Sequence, residues 1–427
     1  MPRPRWRDFC NFRDRCQIAF SLENGFGLPA SAFWSLVSSL FTLTSKPVSF
    51  VPTFNQLPDS KSALLRRFEN LIAPADDTQL EFLARQSEQI TRRNFGKTIR
   101  LFAPLYLSNE CVNNCSYCGF SRDNPILRTT LNAEQVLREA HHLHAQGFRN
   151  ILLVAGEHPK FVSEGYLQDI VRKLAPLFPS IGIEVGPMED HQYAELVKAG
   201  AESLIVYQET YHRETYQTLH TAGPKKNFDW RLECPERAYR GGFRRIGIGA
   251  LFGLADWRTE ALALAAHLEY LHKHCWKAQF TVAFPRMRPY AGNYQYTPDP
   301  NRYLTDRELV QLIAAVRICF PSTGIVVSTR EPAAFRDNVM KLGPTLMSAG
   351  SATDPGGYTG AGCNDLHRTR KGRRVEIEES EKSTATRATE QFTIDDQRTP
   401  EEFAAAIAKR GLDPVWKDWE EAILRPA

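Results

Sequence analysis

From residue 99 onward the chain alternates between short runs of aliphatic and β-branched residues and longer amphipathic stretches. Such alternation marks βα units, which build a parallel sheet because each strand can rejoin the same end only through a crossover helix. Eight runs have strand character: Ile99 to Leu107, Asn150 to Ala155, Ile181 to Val185, Ser203 to Tyr207, Arg244 to Gly249, Ala278 to Ala283, Gly324 to Ser328 and Thr345 to Ser348. Helical spacing fills the gaps, most clearly at Ala133 to Gln146, Tyr166 to Leu177, Asp190 to Lys198, Pro235 to Gly241, Thr259 to His274, Asp306 to Cys319 and Pro332 to Leu342. The expected fold class is α/β, a (β/α)8 barrel of the TIM type. A partial barrel of about six units gives most of the same pattern.

The flanks differ from this core. Leu64, Leu65, Phe68, Leu71 and Ile72, then Leu80, Phe82, Leu83 and Ile90, have helical spacing on either side of Pro74. Two short helices are expected there. Ala352 to Glu390 is rich in Gly, Thr, Arg, Lys and Glu and reads as a surface linker or mobile loop. Thr399, Pro400 and Glu402 have the chemistry of a helix start, and Phe403, Ile407 and Leu412 supply its apolar stripe. The expected organisation is an N-terminal extension at 1–55, a helical segment at 56–98, the barrel at 99–350 and a C-terminal linker with a helical extension at 351–427.

The extension carries Arg3, Arg5, Arg7, Arg13 and Arg15 against few acids. Its composition resembles an organelle transit peptide, and a bacterial extension or an early start codon gives the same composition. The expected compartment is the cytoplasm, with the plastid as the alternative. A net charge of +4, spread along 427 residues, does not point to nucleic acid. No run approaches the roughly 18 apolar residues of a membrane span. The nine cysteines do not form the framework of a small secreted protein.

Three of those cysteines lie together in Leu107-Ser-Asn-Glu-Cys111-Val-Asn-Asn-Cys115-Ser-Tyr117-Cys118-Gly-Phe, just beyond the first strand. Thiolates are soft ligands suited to iron-sulfur clusters. A closed zinc or four-cysteine site needs a fourth ligand, and no further cysteine lies nearby. Three ligands leave one iron of a 4Fe-4S cluster open. A zinc site completed by a distant histidine, a non-catalytic iron-sulfur site and incidental buried thiols are the other readings. Further candidates sit where a barrel places function, at the C-terminal ends of strands: Gly156 and Glu157, Glu184, Tyr207 with Gln208 and Glu209, Gly247 and Gly249, Arg286 and Arg288, Arg330 and Ser348. Singly, each also fits an ion pair or close packing; together they mark one end of the barrel.

The CxxxCxxC spacing, with the aromatic Tyr117 before the third cysteine, resembles the radical S-adenosylmethionine (SAM) superfamily. The resemblance implies that Cys111, Cys115 and Cys118 hold a 4Fe-4S cluster whose open iron binds SAM, and that the reduced cluster cleaves SAM to a 5′-deoxyadenosyl radical. It places Tyr117 against the adenine. Ala155-Gly156-Glu157 stands where the family has a GGE segment that binds the SAM amino group, with alanine replacing the first glycine. Glu184 would bind the ribose hydroxyls, Gly247 and Gly249 would let backbone approach the adenine, and Gln208 joins this cofactor-binding set.

A narrower resemblance covers about Leu64 to the C-terminus. The segments APLYLSN, LLVAGEHP, VYQETYH, WRLECPERA, RIGIGALFGLADW, FPRMRP, STRE, SAGS and PVWKDWE look like the 2-iminoacetate synthase family, the tyrosine lyases of thiamine biosynthesis. Relatives that make carbon monoxide and cyanide for a hydrogenase cofactor carry a second, C-terminal cluster; this chain has only Cys363 after Cys319 and cannot make it. A tryptophan lyase is the rival within the family. The resemblance implies L-tyrosine as substrate, Arg330 and Ser348 as its carboxylate clamp, and Tyr106 at its amine or carboxylate. It also implies a flavodoxin or ferredoxin as reductant and thiazole synthase as the consumer of the imine.

Overall fold

Apolar runs flanked by glycine and helix-capping residues give strands buried on both faces, and eight of them close on themselves. The computed structural model describes residues 61–291, 299, 302–370, 373–377 and 386–416. The strands are β1 (Thr98–Ser108), β2 (Asn114–Cys115), β3 (Asn150–Ala155), β4 (Ser180–Glu184), β5 (Ser203–Glu209), β6 (His220–Ala222), β7 (Arg245–Ala250), β8 (Gln279–Ala283), β9 (Gly324–Val327), β10 (Leu346–Ser348), β11 (His367–Arg370), β12 (Arg373–Glu376) and β13 (Asp413–Val415). β1, β3, β4, β5, β7, β8, β9 and β10 are parallel neighbours in that order, and β10 pairs back onto β1 with Phe102 opposite Ser348. This is the expected (β/α)8 barrel. β13 adds in parallel at the start of β1, Thr98 opposite Asp413.

The helices are α1 (Ala63–Leu71), α2 (Asp77–Phe95), α3 (Ala133–Ala145), α4 (Glu164–Leu174), α5 (Asp190–Ala199), α6 (Arg213–Leu219), α7 (Phe228–Leu232), α8 (Cys234–Arg240), α9 (Trp257–His274), α10 (Asp306–Cys319), α11 (Ala333–Val339) and α12 (Pro400–Lys409). Their starts are written in the sequence. Asp76, Asn132, Thr305 and Thr399 close capping boxes at α2, α3, α10 and α12, each with Gln or Glu three residues on. Among the described residues no helix is long and apolar enough to cross a membrane. The Arg-rich extension lies outside the described residues.

One expectation fails. The stretch from 352 to 390 is not a bare linker where it is described, because β11 and β12 form an antiparallel hairpin in it and Leu366, Ile377 and Ala388 bury a small apolar cluster with Leu127. Beyond it the chain crosses the barrel mouth as a strap. Gln391 N donates to Thr353 O at 2.9 Å, Thr393 N to Pro289 O at 2.9 Å and Asp395 N to Thr329 O at 3.0 Å. Its far end is pinned by Asp396, which accepts from Arg336 and, at 2.7 Å, from Arg398. Arg336 also reaches Ser348 O, and its guanidinium lies 3.9 Å from the Phe403 ring centroid.

Arg336 and Asp396 are each about 1% exposed. Removing one partner of so buried a pair leaves the other charged and dehydrated. The substitution Asp396→Ala is expected to destabilise the fold by about 3 to 5 kcal/mol, read as a lower midpoint in denaturant unfolding, and to release the strap to limited proteolysis.

Candidate active site at the barrel mouth

The cysteine segment leaves β1 at Ser108 and is held mainly by hydrogen bonds to buried backbone groups. Arg128, 1% exposed, donates to the carbonyls of Asn109 (2.6 Å) and Phe120 (3.2 Å) through Nη1 and of Ser121 (2.8 Å) through Nη2, fastening both ends of the loop. Asn109 donates to Leu127 O and Thr389 O and accepts from Thr129 N. Glu110, just before Cys111, accepts from His367 Nε2 at 2.7 Å and Thr369 Oγ1 at 2.6 Å on the β11 strand. Burial alone would raise the Glu110 carboxyl, but these hydrogen bonds and the Arg128 charge hold it below the usual carboxylate range. Asn124 Nδ2 caps the carbonyls of Cys118 and Gly119.

The loop presses against the exit of β3 so closely that only glycine fits there. A Cβ on Gly156 would stand 2.2 Å from Glu110 O and 3.2 Å from the Cys111 Cβ. Glu157 braces the same loop: its carbonyl accepts from Val112 N at 2.8 Å, and its Oε2 from Asn113 Nδ2 at 2.7 Å. Both residues therefore meet the cysteine loop, not the cavity.

Cys111, Cys115 and Cys118 are free thiols on this one loop. Burial pushes the thiols of Cys111 and Cys115 up, and the nearby Cys118 adds to the rise. Such thiols ionise when a metal centre supplies positive charge. The donor set fits a three-thiolate iron-sulfur cluster. Tyr117 lies against the cavity, with its hydroxyl 2.6 Å from His220 Nε2.

A cavity of about 140 Å³ opens inside the mouth and is lined by Tyr106, Tyr117, Cys118, Glu184, Arg330 and Ser348 among others. Nine sequence-predicted residues, these six with Tyr207, Glu209 and Arg288, meet there from over half of the chain. Arg330 is held by cation-π contact, 3.3 Å from the Phe392 ring centroid, with Nη1 3.4 Å from Arg286 O. Among the described residues no carboxylate lies within ion-pair distance of it, and burial lowers its affinity for its proton. Ser348 Oγ accepts from Thr329 N at 3.0 Å, so the hydroxyl proton stays free to donate. Burial, reinforced by the Glu209 charge, pushes Glu184 up to about 7.

Sequence reasoning missed how Glu209 is held. Glu209 is the only non-glycine residue among those described with a positive φ, 71°, at a bulge between β5 and β7. That twist turns its carboxylate to Lys225 Nζ at 2.7 Å and Arg231 at 3.6 Å. Burial would raise Glu209, but the two cations hold it low. Lys225 and Arg231 lie outside the expected helices, so no periodicity singled them out. Gln391 and Phe392, also at the cavity, lie just beyond the end of the stretch read as linker.

Three expected cofactor residues stand elsewhere. Tyr207 faces the cavity, so Gln208, one residue on, points the other way, 3% exposed, with its amide 3.4 Å from Phe228 O. Gly249 is small because a Cβ there would stand 2.7 Å from the Tyr207 ring, and Gly247 lines a separate cavity of about 730 Å³ at the opposite end of the barrel. Arg286 and Arg288 are committed to Glu331, with Arg288 3.2 Å away.

Comparison with known proteins agrees with this geometry. Residues 105–265 match the radical SAM superfamily, and residues 283–413 match the Biotin and Thiamin Synthesis associated domain. The chain is 41% identical to 2-iminoacetate synthase of Escherichia coli over 83% of its own length and 87% of that protein, and 40% identical to the Salmonella typhimurium enzyme over 82% and 86%. Among solved structures it is similar to the FeFe-hydrogenase maturase HydG from Carboxydothermus hydrogenoformans, with a TM-score of 0.71 and 34% identity over 83% of this chain and 76% of that one. From the cysteine loop to the strap, the chain belongs to the 2-iminoacetate synthase family of radical SAM lyases.

Proposed function

We propose that this enzyme cleaves the Cα–Cβ bond of L-tyrosine to 2-iminoacetate (dehydroglycine) and p-cresol, with SAM reduced to 5′-deoxyadenosine and methionine. The observation that carries this reading is Arg330, a half-buried arginine with no carboxylate partner among the described residues, facing the cavity beside the Ser348 hydroxyl. A guanidinium fork with a neighbouring hydroxyl suits the carboxylate of an amino acid. Phe392 holds the fork by its face and leaves the N–H donors not given to Arg286 O for the substrate.

Cys111, Cys115 and Cys118 would hold the 4Fe-4S cluster, with SAM bound beside it through Tyr117 and Glu184. When bound, the pair supplies the hydrogen-abstracting radical chemistry of the superfamily. The chain's own work is to hold the substrate carboxylate at Arg330 and Ser348, keep the amine near Tyr106, and exclude water from the mouth with the strap. Lys225, Arg231 and Glu209 form a compact charged group on the Tyr117 side, within reach of a zwitterionic cofactor. A flavodoxin or ferredoxin would supply the electron, and the unstable imine would pass to thiazole synthase in thiamine biosynthesis. The free buried cysteines suit a reducing compartment, the cytoplasm.

Reduced enzyme given SAM and tyrosine is expected to release p-cresol and glyoxylate, the hydrolysis product of the imine, in comparable amounts, with no carbon monoxide or cyanide. A methylindole carboxylate from tryptophan, with no p-cresol from tyrosine, would move the enzyme to the tryptophan branch. The Arg330→Ala variant should lose about 2 to 4 kcal/mol of substrate positioning while keeping its iron; tyrosine turnover at the parent rate would refute the clamp. Because Glu184 titrates near 7 and accepts hydroxyl hydrogens best as a carboxylate, SAM affinity should rise as pH increases through that value. In Glu184→Gln, equilibrium binding should show no such rise.

A further inference from the structure

Gln391 stands where the strap, the substrate pocket and the cysteine loop meet. Its carbonyl accepts from Gly119 N at 3.2 Å, directly after Cys118, and a Cβ on Gly119 would stand 2.6 Å from that oxygen. The loop therefore admits the strap only because residue 119 is glycine. Thr389 adds two further ties, accepting from Leu127 N at its hydroxyl and donating N–H to Leu127 O, each at 3.0 Å. The carboxamide of Gln391 is thus fixed between two partners: Tyr106 OH lies 2.8 Å from Oε1, and Cys118 Sγ lies 3.7 Å from Nε2.

The chemistry of those partners decides which way the amide points. A cluster-bound Cys118 is a thiolate and can only accept, so it must face Nε2–H. Oε1 then faces Tyr106, which must donate. With its single proton given to Gln391, the Tyr106 hydroxyl offers the cavity lone pairs alone. Such an oxygen accepts from an amine and repels a carboxylate.

We propose that Gln391 is a positioning residue with two consequences: its N–H to the Cys118 sulfur raises the reduction potential of the cluster, and its carbonyl fixes Tyr106 as an acceptor for the substrate amine. Hydrogen bonds to cluster sulfurs stabilise the reduced, more negative state. The amine assignment rests on the amino-acid lyase reading above; the effect on potential does not.

The test uses reconstituted full-length enzyme and two readouts. In redox titrations followed by EPR, without tyrosine or SAM, Gln391→Glu and Gln391→Leu should both hold iron and both show a potential lower than the parent's. An unchanged potential in both overturns the link to the cluster, and if one variant fails to load iron the other decides. In equilibrium binding, Tyr106→Phe should weaken L-tyrosine about tenfold, as for a hydrogen bond to a charged group. The same variant should leave 3-(4-hydroxyphenyl)propanoate, which lacks the amine, essentially unaffected. Equal weakening of both ligands overturns the amine assignment. Failure of the parent to bind tyrosine at all would instead refute the lyase reading and the amine assignment with it, leaving the titrations to decide the rest.

Discussion

The pairing of β10 with β1 is the contact on which the site depends. It sets Ser348 opposite Phe102, and so brings the last barrel strand beside the strand that launches the cysteine loop. A parallel barrel places the ends of all its strands at one mouth, and closure makes the first and last strands neighbours. Arg330 and Ser348, from late in the chain, therefore share one cavity with Tyr106 and Cys118. Without closure Arg330 and Ser348 would stand at the opposite edge of an open sheet from the cysteines.

Closure fixes where the loop starts; buried hydrogen bonds fix its shape. The cysteine loop has little regular structure beyond the two residues of β2, so its other backbone groups need other partners. Arg128 satisfies three of its carbonyls, Asn124 two more, and Glu157 takes the Val112 N–H. The hairpin strand reaches the same loop through His367 and Thr369, and the strap reaches it through Gln391. Segments distant in sequence thus converge on one short turn. That turn has to stay in place while its thiols are ionised.

The barrel was legible because its strands are apolar runs and its helices carry capping boxes such as Thr305 with Glu308. The cysteines were legible because their spacing lies within a single loop. Side-chain direction was harder. Whether Tyr207 or Gln208 faces the cavity depends on register with β7, where Tyr207 pairs with Gly249, and sequence alone does not specify register. The tilt of Glu209 toward Lys225 and Arg231 follows from a positive φ that no residue type announces. The hairpin and strap hid for another reason. They are held mostly by backbone hydrogen bonds and single anchors such as Phe392 and Asp396, so their composition resembles that of an unattached linker.

Everything at the mouth turns on whether Cys111, Cys115 and Cys118 hold a cluster with one iron left open for SAM. Mössbauer spectra of the anaerobically reconstituted protein, recorded before and after SAM is added, test it most directly. A 4Fe-4S signal in which one iron becomes distinct from the rest on adding SAM is expected, and no cluster in the variant with all three cysteines changed to alanine. A signal that SAM leaves unaltered, or a cluster that survives the loss of all three thiols, would contradict it.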